Sequence, residues 1–219
     1  MSAMSPAAAA RTRRARNPAR TRDAILHRAV DLASAEGLEG LTIGRLATDL
    51  EMSKSGLFGH FGSKEGLQLA AIEEASKRFV EEVITPTLAE AEGAPRLRAL
   101  ARSYLAYLER GVFAGGCFFA AASIEFDDRP GPVGDRVRDV VGAWVAYLEG
   151  QARAAGADDP KLLAFEFHAL AQGANSAFRL FGDPRAFARA RKAIESAVEG
   201  QVGTPGRRRT GRQASSRAK

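Results

Sequence analysis

Lys54, Ser55, Gly56, Gly59 and His60 lie in one short segment, KSGLFGHF, and their chemistry is that of contact rather than bond breaking. A lysine can meet a phosphate or the edge of a guanine. Serine and histidine add hydrogen bonds, and the small residues let a helix backbone come close to base edges. Leu57, Phe58 and Phe61 recur at helical spacing and are expected to anchor the segment, leaving the other five facing out. An ordinary corner of a helical bundle has the same spacing, so spacing alone leaves both readings open.

Little else in the chain offers chemistry. His27, His60 and His168 fall on separate helical stretches without metal-ligand spacing. Cys117 sits in an apolar run, where an inert buried thiol is expected. No nucleophile elbow, phosphate loop or dinucleotide fingerprint occurs. Glu125, Asp127 and Asp128 read as an acidic turn rather than a metal site, and His168 beside Glu166 as a core or interface residue rather than a base. No catalytic residue, metal or cofactor is therefore expected.

The elements around the contact segment are short helices. Thr42 precedes Ile43, Leu46, Ala47 and Leu50, an i, i+3, i+4, i+7 face, and its hydroxyl suits the N-cap. After a tight link at Glu51–Met52–Ser53, Ser53 caps a second helix, Lys54 to His60. Two such helices form a helix-turn-helix, which lays its second helix in the DNA major groove.

Thr42, Ile43, Ala47, Ser53, Gly56, Leu57, Phe58, His60, Phe61, Ser63, Lys64, Glu65 and Leu67, with the preceding stretch Arg22 to Glu36, closely resemble the DNA-binding region of the TetR family of bacterial repressors. The resemblance runs from Thr21 to about Ala71. It implies an all-α fold with an N-terminal three-helix reading head and a C-terminal helical bundle for ligand binding and dimerisation. Two positions depart from the family pattern: Phe58 replaces the usual recognition-helix tyrosine, and Glu51 the usual turn glycine. The set expected to touch DNA is Arg20, Arg22, Thr42, Arg45, Ser53, Lys54, Ser55, Gly56, Phe58, Gly59, His60 and Lys64. For Lys64 a structural role is equally open.

The 219 residues carry a net charge of +6, unevenly placed. Residues 1–22 hold six arginines and residues 203–219 hold five arginines and Lys219, with no acid in either, which leaves 23–202 at −6. Both ends lack apolar periodicity and are expected to be disordered when free, the first as an arm that tracks phosphates or enters a minor groove. The expected layout is a basic arm (1–19), a helix-turn-helix domain (20–66), a ligand-binding and dimerisation domain (67–200) and a basic tail (201–219). No apolar run approaches the roughly 18 residues of a membrane span. A single cysteine fits a reducing cytoplasm.

Helical stripes continue through the rest: a fourth helix to about Ile84, one after Pro95, an apolar run from Val112 to Phe126 expected as a buried helix, then about Val133 to Ala155, Lys161 to Phe181 and Pro184 to Val198. Phe79, Arg102, Tyr104, Phe113, Cys117, Phe118, Trp144, Phe165, His168, Asn175 and Phe178 are the candidates for an apolar or aromatic effector pocket, although aromatics also simply fill cores. The helix from Lys161 is apolar on two sides, so one side needs a partner. Leu162, Leu163, Phe167, Leu170, Phe181, Ile194 and Val198 are the candidates for a homodimer interface. The expected function is a homodimeric repressor that reads a palindromic operator on double-stranded DNA and is released by a small-molecule effector. An activator, a nonspecific binder using its basic ends, and an enzyme with a DNA-binding head are the competing readings.

Overall fold

Helix signals in the sequence become nine α-helices, with no strand among the described residues, 18–202 of the computed structural model. The expected arm before Pro18 and tail after Val202 lie outside the described residues, as does the side chain of Arg20. The helices are α1 Pro18–Glu36, α2 Ile43–Asp49, α3 Lys54–Phe61, α4 Lys64–Phe79, α5 Ala94–Arg110, α6 Phe118–Glu125, α7 Pro132–Ala154, α8 Pro160–Phe181 and α9 Ala186–Gln201.

Helix α1 buries Ile25, Leu26, Ala29, Val30, Leu32 and Ala33, and it stops at Gly37, whose φ of 90° only glycine adopts freely. Leu38 then packs back into the core. Helix α4 runs from the reading head into the body, packing on α1 and on α7. Its regular turns end at Phe79. A π turn, Val80–Ile84, and a 3-10 turn, Thr85–Thr87, carry the chain to Pro86. Helices α8 and α9 pack on each other, α8 also on α7, and α9 on α5. One contiguous apolar core runs from Ile25 to Val198.

The run from Val112 to Phe126 differs from expectation. Only Phe118–Glu125 is α-helical. Gly116 takes a φ of 95° and breaks the run, and Gly115 lies against α1, where a Cβ would stand 1.7 Å from the Ser34 carbonyl oxygen. Phe113, Cys117, Phe118 and Phe119 are buried as expected, but Ile124 faces out. No described helix is long and apolar enough to cross a membrane.

Candidate nucleic-acid interface and effector cavity

Three hydroxyls build the reading head. Thr42 Oγ1 accepts the Arg45 N–H at 3.0 Å, Ser53 Oγ the Gly56 N–H at 3.1 Å, and Ser63 Oγ the Gly66 N–H at 2.9 Å. Each cap satisfies one of the orphan N–H groups at its helix start. Between α2 and α3, Glu51 N–H reaches the Thr48 carbonyl at 3.3 Å and Met52 N–H the Ala47 carbonyl at 2.9 Å. That pair of bonds is a Schellman motif, which wants a left-handed residue. Glu51 supplies it with a φ of 52°, the one non-glycine at positive φ among the described residues.

Leu57 is fully buried and Phe61 packs against the core, four residues apart on one face of α3. Phe58, expected as a third anchor, is 56 % exposed. One residue turns the helix by about 100°, so Phe58 leaves the face that Leu57 and Phe61 share and joins Lys54, Ser55, Gly56 and Gly59 on the exposed side. His60 is half-buried at the edge. A Cβ at Gly59 would touch nothing within 4 Å. Protein packing therefore does not require glycine there, although glycine weakens a helix by about 1 kcal/mol against alanine.

The basic candidates divide into committed and open. Arg45 binds Glu36, with Nε to Oε2 at 2.9 Å, and lies 3.7 Å from Asp49. Lys64 Nζ pairs with Glu39. Hydrogen bonds from Arg45, Lys64 and Arg28 hold the carboxyls of Glu36, Glu39 and Asp49 below the usual range. Arg22 lies 5.6 Å over the Phe61 ring. Lys54 is exposed beside Gly44 and has no acidic partner among the described residues.

In the body, a cavity of about 210 Å³ opens among α4, α5, α6, α7 and α8, with α7 supplying the largest share of its wall. Of the pocket candidates, Phe79, Tyr104, Cys117, Trp144 and His168 line it. Six other candidates do not. Arg102 is exposed and lies 3.9 Å from Glu90. Phe165 is 66 % exposed. Phe113 and Phe118 pack on each other at 6.1 Å and lie outside the lining, and Phe178 packs on Phe187 at 5.1 Å. Asn175 is buried without lining it. Arg136, Asp139, Tyr147 and Gln172 line the cavity and were not expected. Steps of three or four residues along the helix join Trp144 to Tyr147, Trp144 through Val140 to Arg136, and Tyr147 through Ala143 to Asp139, and one turn from His168 reaches Gln172.

Gln172 Nε2 donates to the Tyr104 hydroxyl at 3.1 Å. Burial pushes the Cys117 thiol up and the His168 imidazole down, which favours the neutral form of both. Arg136 donates to both oxygens of Glu73 on α4, at 2.6 and 2.9 Å.

Glu125 is the residue the sequence concealed. Helix α6 lends Phe119 and Ser123 to the cavity wall, and its last residue, Glu125, accepts the N–H groups of Leu38 and Glu39 just after α1. Beside it Ser34 Oγ accepts the Gly115 N–H at 3.0 Å. No group of three His, Cys, Asp or Glu side chains that could hold a metal ion occurs among the described residues.

Four of the interface candidates, Leu163, Phe167, Ile194 and Val198, are buried within the chain's own core, because they occupy the core side of α8 and α9. Leu162 and Phe181 are exposed and Leu170 half-buried, and Phe165 and Leu180 stand out beside them. A shallow groove of small residues, including Ala169, Gly173, Ala177, Ala190 and Ala193, runs between the two helices.

Residues 25–71 match the family model described as bacterial regulatory proteins, tetR family, and residues 93–194 the model described as tetracyclin repressor-like, C-terminal domain. The chain belongs to the TetR family. Membership makes it a DNA-binding transcriptional regulator with a C-terminal ligand-binding domain. Solved TetR-family structures share its fold. A regulator from Chloroflexus aurantiacus J-10-FL is 25% identical, with a TM-score of 0.73 over 82% of this chain and 94% of that one. A regulator from Streptomyces coelicolor is 23% identical, with a TM-score of 0.72 over the same shares. AibR, solved with isovaleryl coenzyme A and operator DNA, is 24% identical, with a TM-score of 0.61 over 80% of this chain and 94% of its own. No curated protein sequence matches this TetR-family chain.

Proposed function

We propose that this TetR-family regulator is a homodimeric repressor that reads a palindromic operator with α3 and is released when a small apolar or aromatic effector fills the cavity. The observation that carries it is the outer face of α3, where Lys54, Ser55, Gly56, Phe58 and Gly59 are exposed although Gly59 has no packing duty. Thr42 and Ser53 accept backbone bonds through oxygen and keep a hydroxyl hydrogen for a phosphate. Arg45 and Lys64 serve there as internal struts, so Lys54 carries more of the phosphate contact. Two copies pair through the exposed side of α8, where Leu162, Phe165, Leu180 and Phe181 flank the small-residue groove. Small residues let helix backbones approach, and an apolar patch of this kind is costly to leave wet. A two-fold dimer spaces the recognition helices about 34–36 Å apart, one turn of the duplex.

A gel shift on DNA upstream of its own gene tests the reading. The dimer is expected to retain that fragment at moderate salt and to lose it when the palindrome is scrambled. A shift indifferent to scrambling, or a monomer by sedimentation, overturns it. Removing residues 1–17 and 203–219 separates a nonspecific binder, which loses nearly all affinity, from a specific one, which keeps its preference.

A further inference from the structure

Resting on the reading of the cavity as an effector site, we infer that it takes a neutral, flat aromatic molecule of one or two rings carrying a hydrogen-bond acceptor. Size sets the first limit. About 210 Å³ lies below the roughly 300–1,000 Å³ of ordinary ligand pockets. A coenzyme A thioester like the one bound to AibR would leave most of itself outside.

The walls set the second. Phe79 meets Tyr104, Trp144 and Phe119 edge to face at 5.5, 5.0 and 6.4 Å. These contacts fix the rings, so the guest meets rigid faces and edges, which favour another ring.

Polarity sets the third. Trp144 Nε1, Tyr147 Oη and His168 Nδ1 belong to lining side chains, carry almost no accessible surface, and have no hydrogen-bond partner among the described residues. An indole N–H only donates, and a phenol donates readily, so a guest that these side chains turn to meet is one that accepts. The charged residues of the lining, Arg136 and Asp139, lie one turn apart with opposite signs, and Arg136 already spends its fork on Glu73. Burial favours the neutral form of His168. An anion finds no free cation here, and a cation finds Asp139 only beside Arg136. Burying an unpaired charge is costly.

Calorimetric titration of the full chain with three compounds on one frame tests this: 2-acetylnaphthalene, 2-naphthoate and (2-naphthylmethyl)trimethylammonium. The ketone is expected to bind at one site with Kd below about 100 μM and at least about tenfold tighter than either ion. It should also quench Trp144, the only tryptophan in the chain. Trp144→Phe is expected to weaken the ketone about tenfold. Tyr147→Phe, at a half-buried position that tolerates loss of a hydroxyl, should weaken it in the same direction. Tighter binding of either ion, no ketone binding below 1 mM (~10 times the expected limit), or indifference to both substitutions overturns the inference. Ketone binding that leaves the operator gel shift unchanged upholds the ligand class and overturns release by the effector instead.

Discussion

Glu125 and Leu38 are joined by a hydrogen bond of 2.7 Å, backbone N–H to carboxylate, although 87 residues separate them. With the neighbouring bond to Glu39 N–H at 2.9 Å, it ties the helix that walls the cavity to the loop that leads into α2. Hydrogen bonds to a charged acceptor contribute about 1.5–3 kcal/mol. Glu125→Ala is expected to cost about 2 kcal/mol in urea unfolding. It should also shrink the effect of a bound effector on operator affinity, read as the ratio of Kd with and without 2-acetylnaphthalene. Stability loss with the ratio unchanged would make Glu125 a strut and nothing more.

Gly115 lies so close to α1 that a Cβ would overlap the Ser34 backbone. Backbone does not swing aside as a side-chain tip does. Gly115→Ala is expected to destabilise the protein by about 3 kcal/mol, whereas Gly142→Ala, with open space around it, is expected to be neutral or stabilising. Parallel thermal melts check the pair.

Glu51 holds a left-handed turn without being glycine. Glu51→Gly is expected to stabilise by about 1 kcal/mol, since a side chain in that region carries strain of that order. A fall in denaturation midpoint would contradict it.

Among the described residues Lys54 has no acid to satisfy it, unlike Arg45 and Lys64. Lys54→Gln is expected to lower the slope of log K against log salt by about 0.9 for each protomer bound, while leaving the melting temperature within a degree or so (about 0.5 kcal/mol). Arg45→Gln is expected to do the reverse, lowering stability first.

His168 gives a signature in mild acid. Burial depresses its folded pKa, so the unfolded chain takes up the proton first as pH falls through about 6.5. Stability is full above that pH and declines below it. The paired carboxyls of Glu36, Glu39, Asp49 and Glu73 are shifted down and add their loss only nearer pH 4, below about their unfolded values. Between pH 7 and 5.5, His168→Gln is expected to flatten the melting-temperature profile, with no change in the steeper acid limb.

Capping and periodicity made the reading head legible: Thr42 and Ser53 each cap the helix their position announced. Glu51 was harder, because a strained position advertises itself only when glycine fills it. Periodicity separated the two sides of α8 but not what covers each. Leu163 and Phe167 therefore stood as interface candidates although they fill the chain's own core, and Phe165 as a pocket residue although it faces out. The cavity wall mixes Arg136 and Gln172 with aromatics, and polar residues on a helix read as solvent-facing until the neighbouring helix is known. Glu125 was invisible for a related reason: an acid beside two aspartates reads as a surface turn, and its partners are backbone amides, which leave no mark on a sequence pattern.

The join between α1 and the segment from Gly115 to Glu125 also constrains any chimera. A reading head grafted from this chain onto another family member's body must bring Ser34 and Gly37 to a host that offers both a glycine and a carboxylate at the matching places. Without them the transplanted head sits on a docking surface that either collides with it or leaves two amides bare.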